Sequence, residues 1–465
     1  MYTIALSVAM VFVTIVGAGM PLTISREVAG NLVDGNKKKS FSAVSSGLIF
    51  CVTLAVIITI FVLLCPSFFE LIFTQYDSYI ILLTMLPTVL FTAIYTPFKG
   101  YLWGEERYTA VSIVELVEQL VRVIVCFVLF TFFSTINIML PAGIGLSVAC
   151  IASTLLGIFL YYRGGAKLAN PKKQIIPIAK SCIPLTSMRI VNSLMSPLIN
   201  IILPMQLINA GFSNSQALSF IGIVMGMTIP LLFAPSAIIG SLGMALIPKL
   251  STLQKENNSL ALNNQIKSSI YFTLLASILF VPIFSALGED ICTILYANTQ
   301  AGAYLSSFAW MIVPLGLSQI TTSILNSLGY EFQSFIYFII SSIATIILVA
   351  ILPHIVGASA LLISMGVGNI IIFVLNILKI NKITGLNNYF IKQITIMSAL
   401  CIPIILLTQW LNNILVFIFP MFICILLCCG VCIISQFLLY ACFNLIDMEL
   451  VTNVVIKVQK KVRLK

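Results

Sequence analysis

The chain has 465 residues, of which 60% are hydrophobic and only 8% charged, and its formal net charge is +10. Soluble domains hold roughly 45–50% apolar residues, so this composition excludes an ordinary soluble enzyme and indicates a polytopic membrane protein. The excess of bases is a topology signal and not a nucleic-acid footprint, because the bases are sorted among the loops.

A membrane-crossing helix needs about 20 mostly apolar residues. Thirteen stretches meet that requirement, at residues 2–24, 43–65, 79–98, 112–133, 139–162, 178–205, 217–246, 266–287, 303–328, 332–353, 356–378, 390–411 and 414–443. Of the 24 Lys and Arg residues, 22 fall in alternate gaps between these stretches, in the tail, or within three residues of a stretch end that borders such a gap (Lys180, Lys267 and Lys392), beginning with Arg26, Lys37, Lys38 and Lys39 and continuing with Lys99 and Arg107. The intervening gaps hold the acids Glu70, Asp77, Glu289 and Asp290 and the one histidine, His354. Cytoplasmic loops retain Lys and Arg, so this reading puts the basic gaps and the C-terminus in the cytoplasm and Met1 outside.

Internal repetition organises the stretches. The string "GMPL" at Gly19 returns as "GMAL" at Gly243, and "LIFTQYDSY" from Leu71 returns as "ILYANTQAGAY" from Ile294, at offsets of 223 to 225 residues. Copies in one orientation describe a duplicated bundle about an axis along the membrane normal. The expected fold is all-α, with two pseudo-symmetric six-helix lobes and two further helices, about 13 transmembrane helices in all. The domains are residues 1–165, a first lobe lacking its first helix; 175–380, a complete second lobe; and 388–465, a final pair with a basic tail. Subtracting 224 from 178 gives a negative position, so the expectation is another helix encoded upstream of Met1.

The strings "GMPLTISREVAG" from Gly19, "VEQLVRV" from Val117, "GMTIPLLFAPSAIIGSLGMALIPKLS" from Gly226, "ILYANTQAGAYL" and "TTSILNSLGYE" carry a family resemblance over essentially the whole chain. The sequence resembles the stage V sporulation protein B branch of the multidrug, oligosaccharidyl-lipid and polysaccharide exporter superfamily. The resemblance implies fourteen helices, from which the absent first helix is the departure. It also implies a flippase for lipid-linked cell-wall or polysaccharide precursors, in spore cortex or peptidoglycan synthesis, with membrane lipids and other wall-synthesis proteins as partners.

Two bases break the loop rule. Arg122 falls near the middle of its stretch, with Glu118 four residues and Glu115 seven residues before it on one helical face. A self-neutralised structural pair and a substrate or ion role are both compatible with that spacing. Arg189 has no acid in its own or the next five stretches, which leaves it free to hold a phosphate by its planar fork, to pair with Glu115 or Glu118, or to bond carbonyls freed near Pro184. Arg26 reads as an interfacial anchor or a greeting group for an entering head group. Asn192, Asn200, Gln319 and Asn326 are mid-membrane polar groups that line a cavity or bond between helices.

Prolines at 87, 184, 197, 230, 235, 314 and 403 punctuate the spans and predict kinks. The twelve cysteines lack the spacing of a metal or disulfide framework and read as small packing residues. No phosphate-binding glycine loop occurs, so no nucleotide cofactor is expected, and the expectation is a transporter and not an enzyme. Glu115 and Glu118 are the only embedded acids available to a proton or Na⁺. Two other readings remain: a multidrug cation antiporter, which needs an unpaired cavity acid, and a non-transporting scaffold, which would close its cavity with apolar packing.

Overall fold

The structure, a computed structural model, describes residues 2–17, 19–66, 76–132, 140–171, 175–385 and 389–443. The acid Glu70, the echo from Leu71 to Gln75, Lys172, Lys173 and the basic tail from residue 444 lie outside the described residues, as do the side chains of Pro197, Asn200 and Lys392. Every regular element among the described residues is helical, and twelve helical spans are long and apolar enough to cross a membrane. The helices that carry Arg122 and Arg189 fall outside those twelve. The chain divides into two compact units.

The first unit comprises Met1–Leu198, Gly243–Leu262 and Ser323–Ile340. Its helices are α1 (Tyr2–Gly17), α2 (Met20–Val33), α3 (Lys37–Leu64), α4 (Tyr76–Gly104), α5 (Tyr108–Phe132), α6 (Leu140–Arg163) and the start of α7 (Ile175–Asn209). The stretch expected as one helix over 2–24 is therefore interrupted before Met20 and runs on to Val33. Pro21 tolerates that restart because a first-turn proline gives up only an amide that has no intrahelical partner. Arg26, Lys37 and Lys99, read from the sequence as loop bases, are helical. Asn36 caps α3 by accepting from the Lys39 amide at 3.2 Å, after a turn at Gly35 with φ +66°. Helix α4 can lie against α2 because two glycines face it: a Cβ at Gly100 would stand 2.8 Å from the Pro21 carbonyl oxygen, and one at Gly104 would stand 2.7 Å from Val28 Cβ. Tyr161 fills the floor of this unit, fully buried, edge-on to Phe98 and Tyr101, with its hydroxyl donating to the Lys167 carbonyl at 2.8 Å.

The second unit comprises Ile199–Leu242, Asn263–Thr322 and Ser341–Lys465. Where the sequence predicts one helix over 217–246, the chain forms α8 (Asn214–Ile223), a π turn at Val224–Thr228, α9 (Ile229–Phe233) and α10 (Ser236–Lys255). Pro230 clashes with the carbonyl four residues back, and the widened π turn absorbs that clash. Pro235 then falls in the break between α9 and α10. The next helix, α11 (Ser259–Tyr296), is longer than the predicted 266–287, so Asp290 is helical and not a loop acid. Helices α12 (Thr299–Phe308), α13 (Ile312–Ser327), α14 (Glu331–Ile351), a short α15 (Pro353–Val356) and α16 (Ala360–Thr384) follow, and α17 (Tyr389–Leu415) and α18 (Met421–Cys442) make the final pair. That pair is tied to α11 by polar contacts: Asn412 donates to Asp290 at 2.5 Å and Gln436 to the Ile278 carbonyl at 3.0 Å. All twelve cysteines are free thiols.

Candidate functional site

A cavity of about 830 Å³ opens within the first unit. Its wall follows from helical periodicity. Thr88, Thr92, Tyr95, Thr96, Lys99 and Trp103 recur at helical spacing along α4, so one face of that helix is largely polar from Thr88 to Trp103. Glu115, Glu118, Gln119 and Arg122 do the same on α5, and Cys150, Ser153 and Thr154 on α6. Met10, Val13, Thr14 and Gly17 of α1 close one side, and Arg189 of α7 and Met244 of α10 complete the lining.

Three bases and two acids meet this cavity, so its charge sum is 3 − 2 = +1. Arg122 Nη2 donates to Glu118 Oε1 at 2.8 Å, one turn back on the same helix, while its Nε is buried with no partner among the described residues. Glu115 does not join that pair. It takes Lys99 of α4 instead, at 2.5 Å, and the same ammonium stands 4.8 Å from the centre of the Trp103 ring. Arg189 is exposed on α7 and has no carboxylate within ion-pair distance among the described residues. Tyr95 presents to the same wall a buried hydroxyl that has no partner among the described residues.

The other expected site residues are elsewhere. Arg26 is in a largely buried network: it pairs with Glu331, donates to Ser181 Oγ at 3.0 Å and to the Asn326 carbonyl at 3.3 Å, and lies 3.6 Å from Glu27. Its own carbonyl accepts from Ser251 at 3.1 Å, and nearby Lys255 meets Asp34 at 3.3 Å. Asn326 is buried beside this network and does not line the cavity. Asn192 is exposed one turn beyond Arg189 and is also absent from the lining. Gln319 belongs to the second unit, where its amide comes within 3.1 Å of the place a Cβ on Gly240 would occupy.

Sequence reasoning missed Lys99, Tyr95 and Trp103. Their signal was legible, as a polar face at three- and four-residue spacing from Thr88 to Trp103, but Lys99 had been counted with the loop bases.

This two-lobed helical bundle is the fold of multidrug and toxic compound extrusion (MATE) transporters. A eukaryotic MATE transporter aligns over 86% of this chain and 90% of its own length, at 15% identity and a TM-score of 0.66. A MATE mutant structure reaches a TM-score of 0.71 over 83% of this chain and 88% of its own, at 14% identity. A transporter from Pyrococcus furiosus, described as a member of the multidrug, oligosaccharidyl-lipid and polysaccharide superfamily with a binding pocket of reversed polarity, gives 0.69 over 82% and 87%, also at 14% identity. The fold is thus one shared with multi-pass membrane transporters.

Within that class, the polysaccharide biosynthesis protein family matches residues 1–254, more than half of the chain, and the chain belongs to that family. It is also 23% identical to stage V sporulation protein B of Bacillus subtilis over 322 residues, 66% of this chain and 62% of that protein. The chain thus spans under two thirds of this curated relative.

Proposed function

We propose that the protein is a cell-membrane flippase that exports a lipid-linked, pyrophosphate-bearing glycan precursor from the cytoplasmic to the outer leaflet by alternating access of its lobes, with its C-terminus in the cytoplasm. The observation that carries this reading is the positive cavity of the first unit, where Arg189, Arg122 and Lys99 outnumber Glu115 and Glu118. Guanidinium groups match phosphate oxygens two at a time, so such a wall selects an anionic head group. Membership of a polysaccharide biosynthesis family supports a glycan cargo, and similarity to a sporulation protein supports spore or vegetative wall synthesis as the setting, with other wall-synthesis proteins as partners.

A cation antiporter is disfavoured because each cavity acid already holds a base. A scaffold is disfavoured because the cavity is open and not packed shut, and threonines, a glutamine and ions stand among the apolar side chains of its wall. The test is complementation of a flippase-deficient strain by the full-length protein. Arg189→Ala should abolish growth rescue at unchanged abundance, and Arg189→Lys should restore it only in part, since an ammonium lacks the planar fork. Full rescue by Arg189→Ala removes the arginine-centred mechanism. Export of cationic dyes without complementation replaces the reading by the antiporter.

A further inference from the structure

Two of the three cavity cations are held by carboxylates, and neither hold is strong. The Lys99–Glu115 pair has side chains 21% and 50% exposed, and the Arg122–Glu118 pair 33% and 20%. Ion pairs this open to water contribute little, because solvent screens them and two long side chains must be ordered to make them. Arg122 is moreover incompletely used, bonded through Nη2 to one oxygen of Glu118 with its Nε donor buried and unmatched. A guanidinium offered a single oxygen keeps the rest of its fork for a ligand that presents two. Arg189, the third cation, has no carboxylate within ion-pair distance among the described residues.

Building on the phosphate-bearing substrate class proposed above, we propose that Glu115 and Glu118 are place-holders for the substrate's phosphates. In the empty cavity they occupy Lys99 and Arg122. An entering head group meets Arg189 first and then displaces the two carboxylates, one phosphate taking the Arg122 fork through Nε and Nη2 and the other taking Lys99. The displaced acids remain on the α5 face within reach of the same cations. They therefore compete throughout for the sites they left, which limits affinity and drives release on the far side. A transporter gains from this arrangement because a cavity of three unopposed cations would hold a pyrophosphate too tightly to turn over.

Trp103 supplies the readout, since the Lys99 ammonium stands over its ring. With Trp310→Phe and Trp410→Phe, Trp103 is the one tryptophan left in these 465 residues, and any tryptophan outside them is replaced by Phe as well. The probe is a polyprenyl pyrophosphate in mixed micelles, with the uncharged polyprenol of the same length as control. The pyrophosphate should change Trp103 emission as Lys99 leaves Glu115, and the polyprenol should not. Glu115→Gln and Glu118→Gln should each tighten pyrophosphate binding about two- to fivefold, the range set by exposed ion pairs, while slowing transport in proteoliposomes. Lys99→Gln should weaken binding and abolish the emission change, and in that background Glu115→Gln should no longer tighten it. Unchanged or weaker binding in both Glu variants, with transport intact, overturns the exchange and leaves the flippase reading standing. Failure of the parent protein to bind the pyrophosphate overturns the substrate class and the exchange with it. The emission change in the unmutated cavity is a second measurement that needs no Glu variant to fold, and its absence on saturation with bound probe also overturns the exchange.

Discussion

The two units solve the same problem, polar groups inside an apolar bundle, by different chemistry. In the first, ion pairs join neutral bonds such as Thr88 with Ser147; the pairs are Arg122 with Glu118, Lys99 with Glu115 and Arg26 with Glu331. In the second they are mostly neutral: Ser318 donates to Asn369 at 2.9 Å, Asn376 to Thr322 at 2.8 Å and to Thr321 at 3.2 Å, and Gln436 to a main-chain carbonyl. The one acid in that set, Asp290, meets an amide and not a base. Neutral hydrogen bonds between membrane helices fasten them without creating a field, whereas embedded charges are costly enough to mark a functional surface. The first unit thus carries a charged cavity, whereas the second uses its polar groups chiefly as fasteners.

The largest effect on stability should come from breaking the Arg26–Glu331 pair, whose side chains are 13% and 7% exposed. Glu331→Ala removes the buried carboxylate and leaves Arg26 only the more exposed Glu27 at 3.6 Å, and should cost about 3 kcal/mol, the low end for a broken buried pair, read as a lowered unfolding midpoint in detergent, with Glu331→Gln costing less. An effect near zero would mean that the ionic unit does not depend on its ions. Next comes the seam between α2 and α4. Gly100→Ala sets a methyl 2.8 Å from the Pro21 carbonyl oxygen and 3.0 Å from its Cα, backbone atoms that cannot rotate away, and should cost about 1–3 kcal/mol in the same assay.

Asn376→Leu in the second unit should cost less, about 0.6 kcal/mol, the usual size of a helix-to-helix hydrogen bond in a membrane. Thr321 and Thr322 keep their own carbonyl acceptors at Leu317 and Ser318, and Asn376 Oδ1 already lacks a partner. A loss as large as that of Glu331→Ala would erase the contrast between the units. Smallest of all, Gly430→Ala in α18 adds a methyl with nothing within 4 Å, and stability should hold or rise by up to about 1 kcal/mol through helix propensity.

What the sequence determined by itself was the membrane class, the all-helical fold, the family and the two arginines out of place, because apolar run length and the segregation of charge are local properties that survive without coordinates. The i, i+4 spacing of Glu118 and Arg122 likewise set their pairing distance in advance, since helix geometry alone brings such side chains together. Which charges meet across helices was decided by tertiary structure. Glu115 lies seven residues from Arg122 on the same face, yet it turns to Lys99, because α4 carries that lysine past the predicted end at residue 98 and into the cavity wall. Arg26 and Glu331 are 305 positions apart in a chain with many other possible partners, and no periodicity joins them. Only packing, by bringing the middle of α2 beside the start of α14 and excluding water from both side chains, selected that pair and left Arg189 lining the cavity with no carboxylate at ion-pair distance among the described residues.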